Sequence, residues 1–343
     1  MTQSLPFSKP SRILITLAAV VLVIAGIKAA APIIGPLAFS VFLAVIFGTL
    51  LHALERRGYS TRSSLVLTLV ILFAIVGIFV VVIAGSFLQL VPEIPRYQGQ
   101  LDESLELAGP LLSPVGIDPA SVSFQDLIHQ FSAGIGRFIG GLFNMAVGFI
   151  VVLITTLFLL FEAKGFSSKL KRIIGELYPG ELDRFIELAQ KNVDYILIRT
   201  EVNLAMGIGT TVILAVIGVK YAIFWGFFAF LMGFIPYIGF YLAVIPPAIL
   251  AWFDIGPVAA LVVLAGEGVV NTLVEYGMFP QLAGRGLALS AAVVFISLFF
   301  WGWVLGAYGV LLAVPLTLAV RMGCELFDET RWIGVLLGPS PET

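Results

Sequence analysis

Long, nearly uncharged apolar runs recur from one end of this chain to the other, and they restrict its fold more than any other feature. Several reach about 20 residues, the length of α-helix that crosses a ~30 Å hydrocarbon layer. Of the 343 residues, 59% are hydrophobic and only 12% are charged, whereas soluble domains are about one quarter charged. Because lipid offers no partner to exposed backbone groups, such runs form helices. The sequence therefore predicts an all-α, polytopic membrane protein.

The charge balance and the scarcity of metal-binding side chains argue against several classes of function. A formal net charge of −2 predicts no nucleic-acid partner. The two histidines, His52 and His129, lie far apart, so we expect no metal site, and the single cysteine, Cys324, cannot form an internal disulfide. The sequence has no Walker-type phosphate loop, nucleophile–base constellation or HExxH motif. We therefore expect no cofactor and no enzymatic activity.

The first part of the chain divides into four predicted membrane helices and two polar regions. The helices are predicted over residues 13–31, 33–54, 65–90 and 141–162. The first of them also fits a signal peptide, because a basic start precedes it and three alanines end it. The two polar regions are a proline-rich, acidic stretch at 91–140, predicted to form extracytoplasmic helices, and a stretch at 163–199, predicted to form cytoplasmic amphipathic helices.

Loop charges predict the orientation. The basic segments are the N-terminus, residues 55–62, residues 163–199 and the start of the tail with Arg321 and Arg331, whereas residues 91–140 are acidic. Since Lys and Arg are enriched in cytoplasmic loops, we expect both termini and the tail at 322–343 in the cytoplasm. Residues 91–140 would then lie outside, with one crossing by each of the first four helices.

Residues 200–321 are predicted to form a transport core that contains two helical hairpins. The apolar stretch 222–252 is interrupted at 233–239, and the stretch 287–321 is interrupted near Trp301 and Gly306. Halves of about 15 residues rise only about 23 Å, short of the ~30 Å layer, so the hairpins are either re-entrant or, for the longer second one, full crossings. Together with crossings at 202–219 and 256–278, this predicts about six full crossings plus two hairpins, or eight or more membrane segments.

The two hairpins share short sequence patterns. Phe224-Trp225-Gly226 recurs as Phe300-Trp301-Gly302, and residues 239–246 recur loosely at 309–315. If each hairpin follows one crossing, the hairpins enter from opposite faces, as in an inverted repeat whose interrupted helices form the binding site. The spacing differs between the copies, so a chance match is the alternative.

Two carboxylates and a carboxamide lie inside a segment whose other residues are typical of a membrane helix. Glu267, Asn271 and Glu275 are spaced i, i+4, i+8, which places them on one broad helical face. Ionisable groups in lipid are costly and usually functional, so we predict a solute or cation path here. The alternative is that these side chains hydrogen-bond neighbouring helices and only stabilise packing.

Further polar and helix-breaking residues are candidates for the same path. Asn203, with Thr210 and Thr211 nearby, can line a pore, whereas Arg199 reads as interfacial. Interrupted backbone at membrane depth persists only where protein or a water cavity satisfies its hydrogen bonds. The break at 233–239 is therefore a candidate contact for the solute. The remaining path candidates are Pro236, Tyr237, Gly239 and Trp301, and those assigned to gating or anchoring are Pro280, Arg285, Gly306 and Pro315. The alternatives are a plain turn at the break, packing for Trp301 and interfacial anchoring for Arg285.

Two blocks carry a resemblance to a known family. GFIPYIGFYLAVIPP at 233–247, and the GRG…LS…FWGW…LG series within 280–320, resemble the hallmark blocks of the autoinducer-2 exporter family of bacterial inner-membrane permeases, close to its quorum-signal exporter branch. The resemblance runs from about residue 13 to residue 338 and is strongest after Arg199. Two departures are Phe240 after the IPYIG block and Phe279 before Pro280, where many members have other residues. The second departure weakens a transfer of carboxylate-based ion coupling.

The resemblance implies a multi-pass inner-membrane permease that exports autoinducer-2 or, in some members, exchanges sodium or lithium for protons. It also implies a homo-oligomer, in particular a pentamer. We therefore expect a secondary transporter of a small polar solute, with membrane lipid as its surroundings. The alternatives are a cation/proton antiporter and, in a different class, a membrane scaffold that transports nothing.

Overall fold

The computed structural model describes residues 9–90, 124–178, 180, 182–283 and 289–338 of the chain. Within these residues the secondary structure is helical and no strand is present. The helices up to the first break are α1 (Lys9–Ala29), α2 (Ala31–Arg56), α3 (Thr61–Leu90), α4 (Phe124–Leu177), α5 (Leu182–Ile217) and α6 (Ala222–Met232). After it come α7 (Ile238–Asp254), α8 (Pro257–Asn271), a π-helical segment (Thr272–Met278), α9 (Phe279–Ala283), α10 (Ala291–Leu305), α11 (Ala307–Leu311), α12 (Ala313–Glu325) and α13 (Arg331–Leu337).

Four stretches of the described residues are long and apolar enough to cross a membrane: Ala31–Arg56, Thr61–Ile78, Leu182–Ile217 and Pro257–Ala283. A fifth candidate is the pair Gly148–Glu162 and Gly165–Leu177, which is bent by 66°. Shorter apolar helices, such as Ala222–Met232 and Ala291–Leu305, accompany them. These helices confirm the predicted polytopic helical class, while the number of six crossings and the inverted repeat stay predictions.

Helix α5 differs from the segment expected from the sequence. It runs without interruption through residue 199, where the polar region was predicted to end, and has 36 residues. At 1.5 Å per residue it is about 54 Å long, well beyond a ~30 Å hydrocarbon layer. Its first turns carry exposed pairs such as Lys191–Glu187 at 2.7 Å, so this part suits an aqueous environment.

Both predicted interruptions are present. The first lies between α6 and α7, where Tyr237 adopts φ 63°. The second lies at Gly306, whose φ of 64° and ψ of −141° suit glycine and few other residues. Trp301 and Trp303 belong to helix α10 rather than to the interruption. A further break at Leu312 separates α11 from α12.

Helices α2, α3 and α4 form one bundle. Phe47, Leu72, Leu153 and Leu160 make its buried cluster. Ser40 Oγ donates to the Val152 carbonyl oxygen at 3.1 Å, which joins α2 to α4 through a hydroxyl that lipid cannot reach. A second cluster, with Leu214, Trp225, Ala251 and Val263 at its centre, joins helices α5 to α8.

Helices α5 and α6 cross very closely. A Cβ on Gly226 of α6 would overlap both the Thr211 hydroxyl and the Gly207 carbonyl oxygen of α5. Small residues are what lets two helices approach so closely in a membrane. The crossing fixes α6, and hence the break that follows it, against α5.

Candidate functional site

Helix α5 contacts both interrupted regions and the carboxylate-bearing helix. Near its first third, Asn192 Nδ2 donates to the Pro315 carbonyl oxygen of α12 at 3.3 Å. Two turns later Arg199 donates to the Gly233 carbonyl oxygen at the end of α6. Three turns further on, Thr210 donates to Glu267 of α8. The polar residues of α5 therefore form a row that faces the breaks and the carboxylates.

Arg199 binds two partners on two different elements. Its Nη1 donates to the two Glu275 carboxylate oxygens at 2.7 and 2.9 Å. Its Nε donates to the Gly233 carbonyl oxygen at 3.0 Å, and Nη2 donates to the same oxygen. The Arg199 side chain is only 11% exposed, whereas that of Glu275 is 37% exposed. A cation at the C-terminal end of α6 also satisfies carbonyl groups that the helix leaves free.

The π-helical segment determines where Glu275 points. A π-helix turns each residue by less than the 100° of an α-helix, because its hydrogen bonds span five residues. The four residues from Asn271 to Glu275 therefore rotate less than in an α-helix, which turns Glu275 back toward the face that carries Glu267. Both carboxylates meet α5, while Asn271 is half-buried at the end of α8.

Glu267 is fully buried between α8 and α5. Its Oε2 accepts a hydrogen bond from Thr210 Oγ1 at 2.8 Å. Its Oε1 has no hydrogen-bond partner among the described residues. A buried carboxylate with a free oxygen is costly unless a proton or a cation joins it. This is the arrangement expected of an ion or proton site, and it also allows a hydrogen bond to a neutral solute.

Asn203 lies directly beneath the first break. The side chain is 1% exposed, and a Cβ on Gly233 would come within 2.5 Å of Asn203 Oδ1. The Asn203 Nδ2 has no hydrogen-bond partner among the described residues. The absence of a side chain at residue 233 is thus what lets the break sit on Asn203, and a free amide donor remains there.

The break residues predicted as contacts take different positions. The Tyr237 side chain is 52% exposed, and its ring centroid lies 6.2 Å from that of Phe295 on α10. Gly239 is buried, and a Cβ there would overlap the Met232 carbonyl oxygen. The Pro236 carbonyl oxygen accepts from the Ile238 amide at 2.7 Å. The turn is therefore tight, and the exposed Tyr237 ring lies beside α10.

The second interrupted region is joined internally by Trp301. Its Nε1 donates to Thr317 Oγ1 at 2.9 Å, which ties α10 to α12. The Thr317 hydroxyl in turn donates to the Ala313 carbonyl oxygen at 2.7 Å. The indole Nε1 of Trp301 therefore already has a hydrogen-bond partner within the protein. A role for Trp301 in the solute path stays a prediction. Pro280 is exposed on α9, and Arg285 lies outside the described residues.

The two breaks meet at an aromatic cluster beside α2 and α5. Phe42, Ile196 and Leu312 are its buried members, and Phe234 packs against them. The rings of Phe42 and Phe234 meet edge to face, with centroids 5.4 Å apart. Residue 234 belongs to the first break and residue 312 to the further break that follows α11, so both interrupted regions converge on α5.

Sequence reasoning missed Arg199 and Gly233. Arg199 read as an interfacial residue, but it lies one turn before Asn203 and three turns before Thr210, all on one face of α5. That spacing was the available signal. Gly233 was visible only as part of a turn, because its contact with Asn203 joins residues distant in sequence. Among the described residues, no group of three or more histidine, cysteine, aspartate or glutamate side chains could hold a metal ion.

The architecture and the buried polar row define a polytopic helical membrane protein with interrupted helices beside ionisable and amide groups. The family described as AI-2E family transporter matches residues 17–325. The AI-2 transport protein TqsA of Escherichia coli (strain K12) is 33% identical over 95% of this chain and 95% of its own length. A putative transport protein of Haemophilus influenzae is 30% identical over 95% of this chain and 96% of its own. The chain belongs to the AI-2E transporter family.

Proposed function

We propose that this protein is a secondary transporter that exports a small polar solute, and that the solute is autoinducer-2. The observation that carries the proposal is a pair of buried groups, Asn203 Nδ2 on α5 and Glu267 Oε1 on the adjacent α8, each without a partner among the described residues. Free donors and acceptors at this depth suit a hydroxyl-rich solute better than lipid. The name of the relative TqsA supports the choice of autoinducer-2.

In this proposal the solute moves along α5 beside the first break. Helix α6 has 11 residues and rises about 17 Å, well short of a ~30 Å layer, which supports a re-entrant hairpin at residues 222–252. Helix α10 has 15 residues and rises about 23 Å, which supports a similar role for the second interrupted region. Alternating access would then arise from movement of the hairpins against α2, α3 and α4.

The setting of the protein is proposed on other grounds. Basic segments at 55–62 and 163–199 support a cytoplasmic location for both termini in a bacterial inner membrane. Family resemblance supports a homo-oligomer, in particular a pentamer. Crosslinking in native membranes tests the oligomer, since a pattern of monomers alone would contradict it.

A sodium or lithium/proton antiporter is the second candidate. It is favoured by one observation, the free Oε1 of the fully buried Glu267, which can bind a proton or a monovalent cation. In the exporter, Glu267 instead accepts a hydrogen bond from the solute. The same residue therefore has a different role in each candidate function.

The test is flux in proteoliposomes that hold a pH-sensitive dye. The wild type, Glu267→Gln and Glu187→Gln are compared, the last as a matched control because Glu187 is exposed near the start of α5. Movement of labelled autoinducer-2 by the wild type and the control, without a cation-dependent pH change, is the expected result. The Glu267→Gln variant should move the solute at least tenfold more slowly, the effect of about 1.4 kcal/mol.

Two other outcomes lead elsewhere. A pH change that depends on sodium or lithium and disappears in Glu267→Gln would replace the exporter by the antiporter. If neither the solute nor a cation moves in wild-type vesicles, the transport proposal fails and the scaffold alternative gains. If Glu267→Gln behaves as the wild type in both assays, the site is wrongly placed.

A further inference from the structure

We propose that Arg199 is a positioning residue that holds the tip of the first hairpin, residues 233–237, closed over Asn203. The inference rests on the proposed transport function, in which Asn203 contacts the solute. Release of Arg199 from its two partners would be the step that uncovers Asn203. The tip would thus be a gate whose closed position is set by a single guanidinium.

The contacts of Arg199 fit this role because they join elements that otherwise belong to different parts of the fold. Gly233 ends α6, whereas Glu275 lies in the π-helical segment after α8. Arg199 itself is on α5 and contacts both at once through distances of 2.7 to 3.0 Å. A planar guanidinium can serve two acceptors in fixed directions, which a lysine cannot do equally well.

The tip covers Asn203 directly. Gly233 leaves no room for a Cβ above the Asn203 amide, and Asn203 is 1% exposed. Other ring contacts of the tip are apolar and involve Phe234 with Phe42 and Tyr237 with Phe295. Such apolar contacts are less directional than hydrogen bonds to a charged group, so Arg199 is the element that sets the tip's position.

The pair is built to be released. The Glu275 side chain is 37% exposed on this chain, so the carboxylate end of the contact is more accessible than the Arg199 end, which is 11% exposed. Oxygens of a passing solute can replace the Gly233 carbonyl as acceptors of the Arg199 hydrogen bonds.

The experiment measures access to residue 203 and requires no solute. In a background with Cys324→Ser, the variant Asn203→Cys is reconstituted, and its rate of labelling by N-ethylmaleimide is recorded. Arg199→Gln should raise that rate roughly tenfold or more, since the tip loses its directional contacts. Glu275→Gln should raise it by less, because the bonds from Arg199 to Gly233 remain. Lys191→Gln, which breaks an exposed pair on the same helix, should leave it unchanged.

The double variant Arg199→Gln/Glu275→Gln decides whether the two residues act as one unit. It should label no faster than Arg199→Gln alone, since both changes remove the same contact. A rate in Arg199→Gln equal to that of the parent would overturn the proposal, as would a double variant whose effect is the product of the single ones. Glu275→Gln preserves shape, so it tests the contact even if Arg199→Gln folds poorly. Because no solute is used, failure of autoinducer-2 transport leaves this result unaffected.

Discussion

The close crossing of α5 and α6 predicts that one added methyl group on α6 destabilises the protein. In Gly226→Ala the new Cβ would overlap the Thr211 hydroxyl and the Gly207 carbonyl oxygen. The hydroxyl can rotate, but the carbonyl belongs to the backbone, so the two helices must separate. Overpacking of this kind costs about 1–3 kcal/mol, and separation of packed surfaces by 0.5–1 Å loses a quarter to a half of their dispersion energy.

We expect the upper end of that range, about 3 kcal/mol, because the overlap includes backbone. For a chain of this size the apparent melting temperature should fall by roughly 4–6 °C. The measurement is thermal denaturation of detergent-solubilised protein followed by size-exclusion chromatography. Gly77→Ala on α3 is the matched control, since nothing lies within 4 Å of its added Cβ, and it should raise stability slightly.

A second variant tests the cause of the loss. Thr211→Ala combined with Gly226→Ala removes the hydroxyl overlap and leaves the backbone overlap, so it should recover only part of the lost stability. Full recovery would mean that the helices do not approach as closely as the structure has them. An unchanged melting temperature in Gly226→Ala alone would refute the reasoning outright.

Three further changes have expected outcomes. Thr210→Val leaves Glu267 without its hydroxyl donor and should cost about 1–3 kcal/mol by the same thermal assay, and the cost should be smaller in a Glu267→Gln background, where the acceptor that loses its donor is neutral. Trp301→Phe and Thr317→Val should each cost about 1 kcal/mol and together no more than either alone, because they remove one bond; a sum would count against that bond. Gly306→Ala should cost about 1–3 kcal/mol, since its backbone conformation suits only glycine, and a neutral result would place the break elsewhere.

The interruptions of the helices were predictable because residues at the breaks themselves specify them. Glycine and proline cluster at 233–239, and the chain does break between α6 and α7. Gly306 likewise supplies the positive φ at the second break. The further break at Leu312 has no such residue at its centre and was not visible in the sequence. Leu312 packs against Phe42 and Ile196, which are distant from it in sequence.

The continuity of α5 was not predictable from composition. The sequence changes at residue 199 from charged and amphipathic to apolar, which reads as the end of one element and the start of another. The helix continues through this change in composition because its backbone hydrogen bonds form within the helix in water and in lipid alike. Only the side chains differ between the two environments. Residues 192 and 199 were therefore assigned to a polar region, although they face the breaks of the core.

The contacts of Arg199 also required the structure. Arg199 and Glu275 are 76 residues apart in the chain, and the orientation of Glu275 depends on a π-helical segment that no residue pattern in the sequence marks. The face shared by Glu267, Asn271 and Glu275 was predicted from α-helical spacing. The observed face arises instead from an α-helix followed by a wider turn.

The breaks also indicate which polar residues of α5 remain available for a solute. An interrupted helix in a membrane leaves carbonyl groups without partners, and each must be satisfied by protein or water. Asn192 donates to the Pro315 carbonyl and Arg199 donates to the Gly233 carbonyl, so these two side chains already form hydrogen bonds that hold the breaks in place. Asn203 Nδ2 and the free oxygen of Glu267 serve no break and have no partner among the described residues. The carbonyl groups at the two breaks are thus served without Asn203 of α5 and Glu267 of α8, which is why the proposed solute contact is assigned to these two residues.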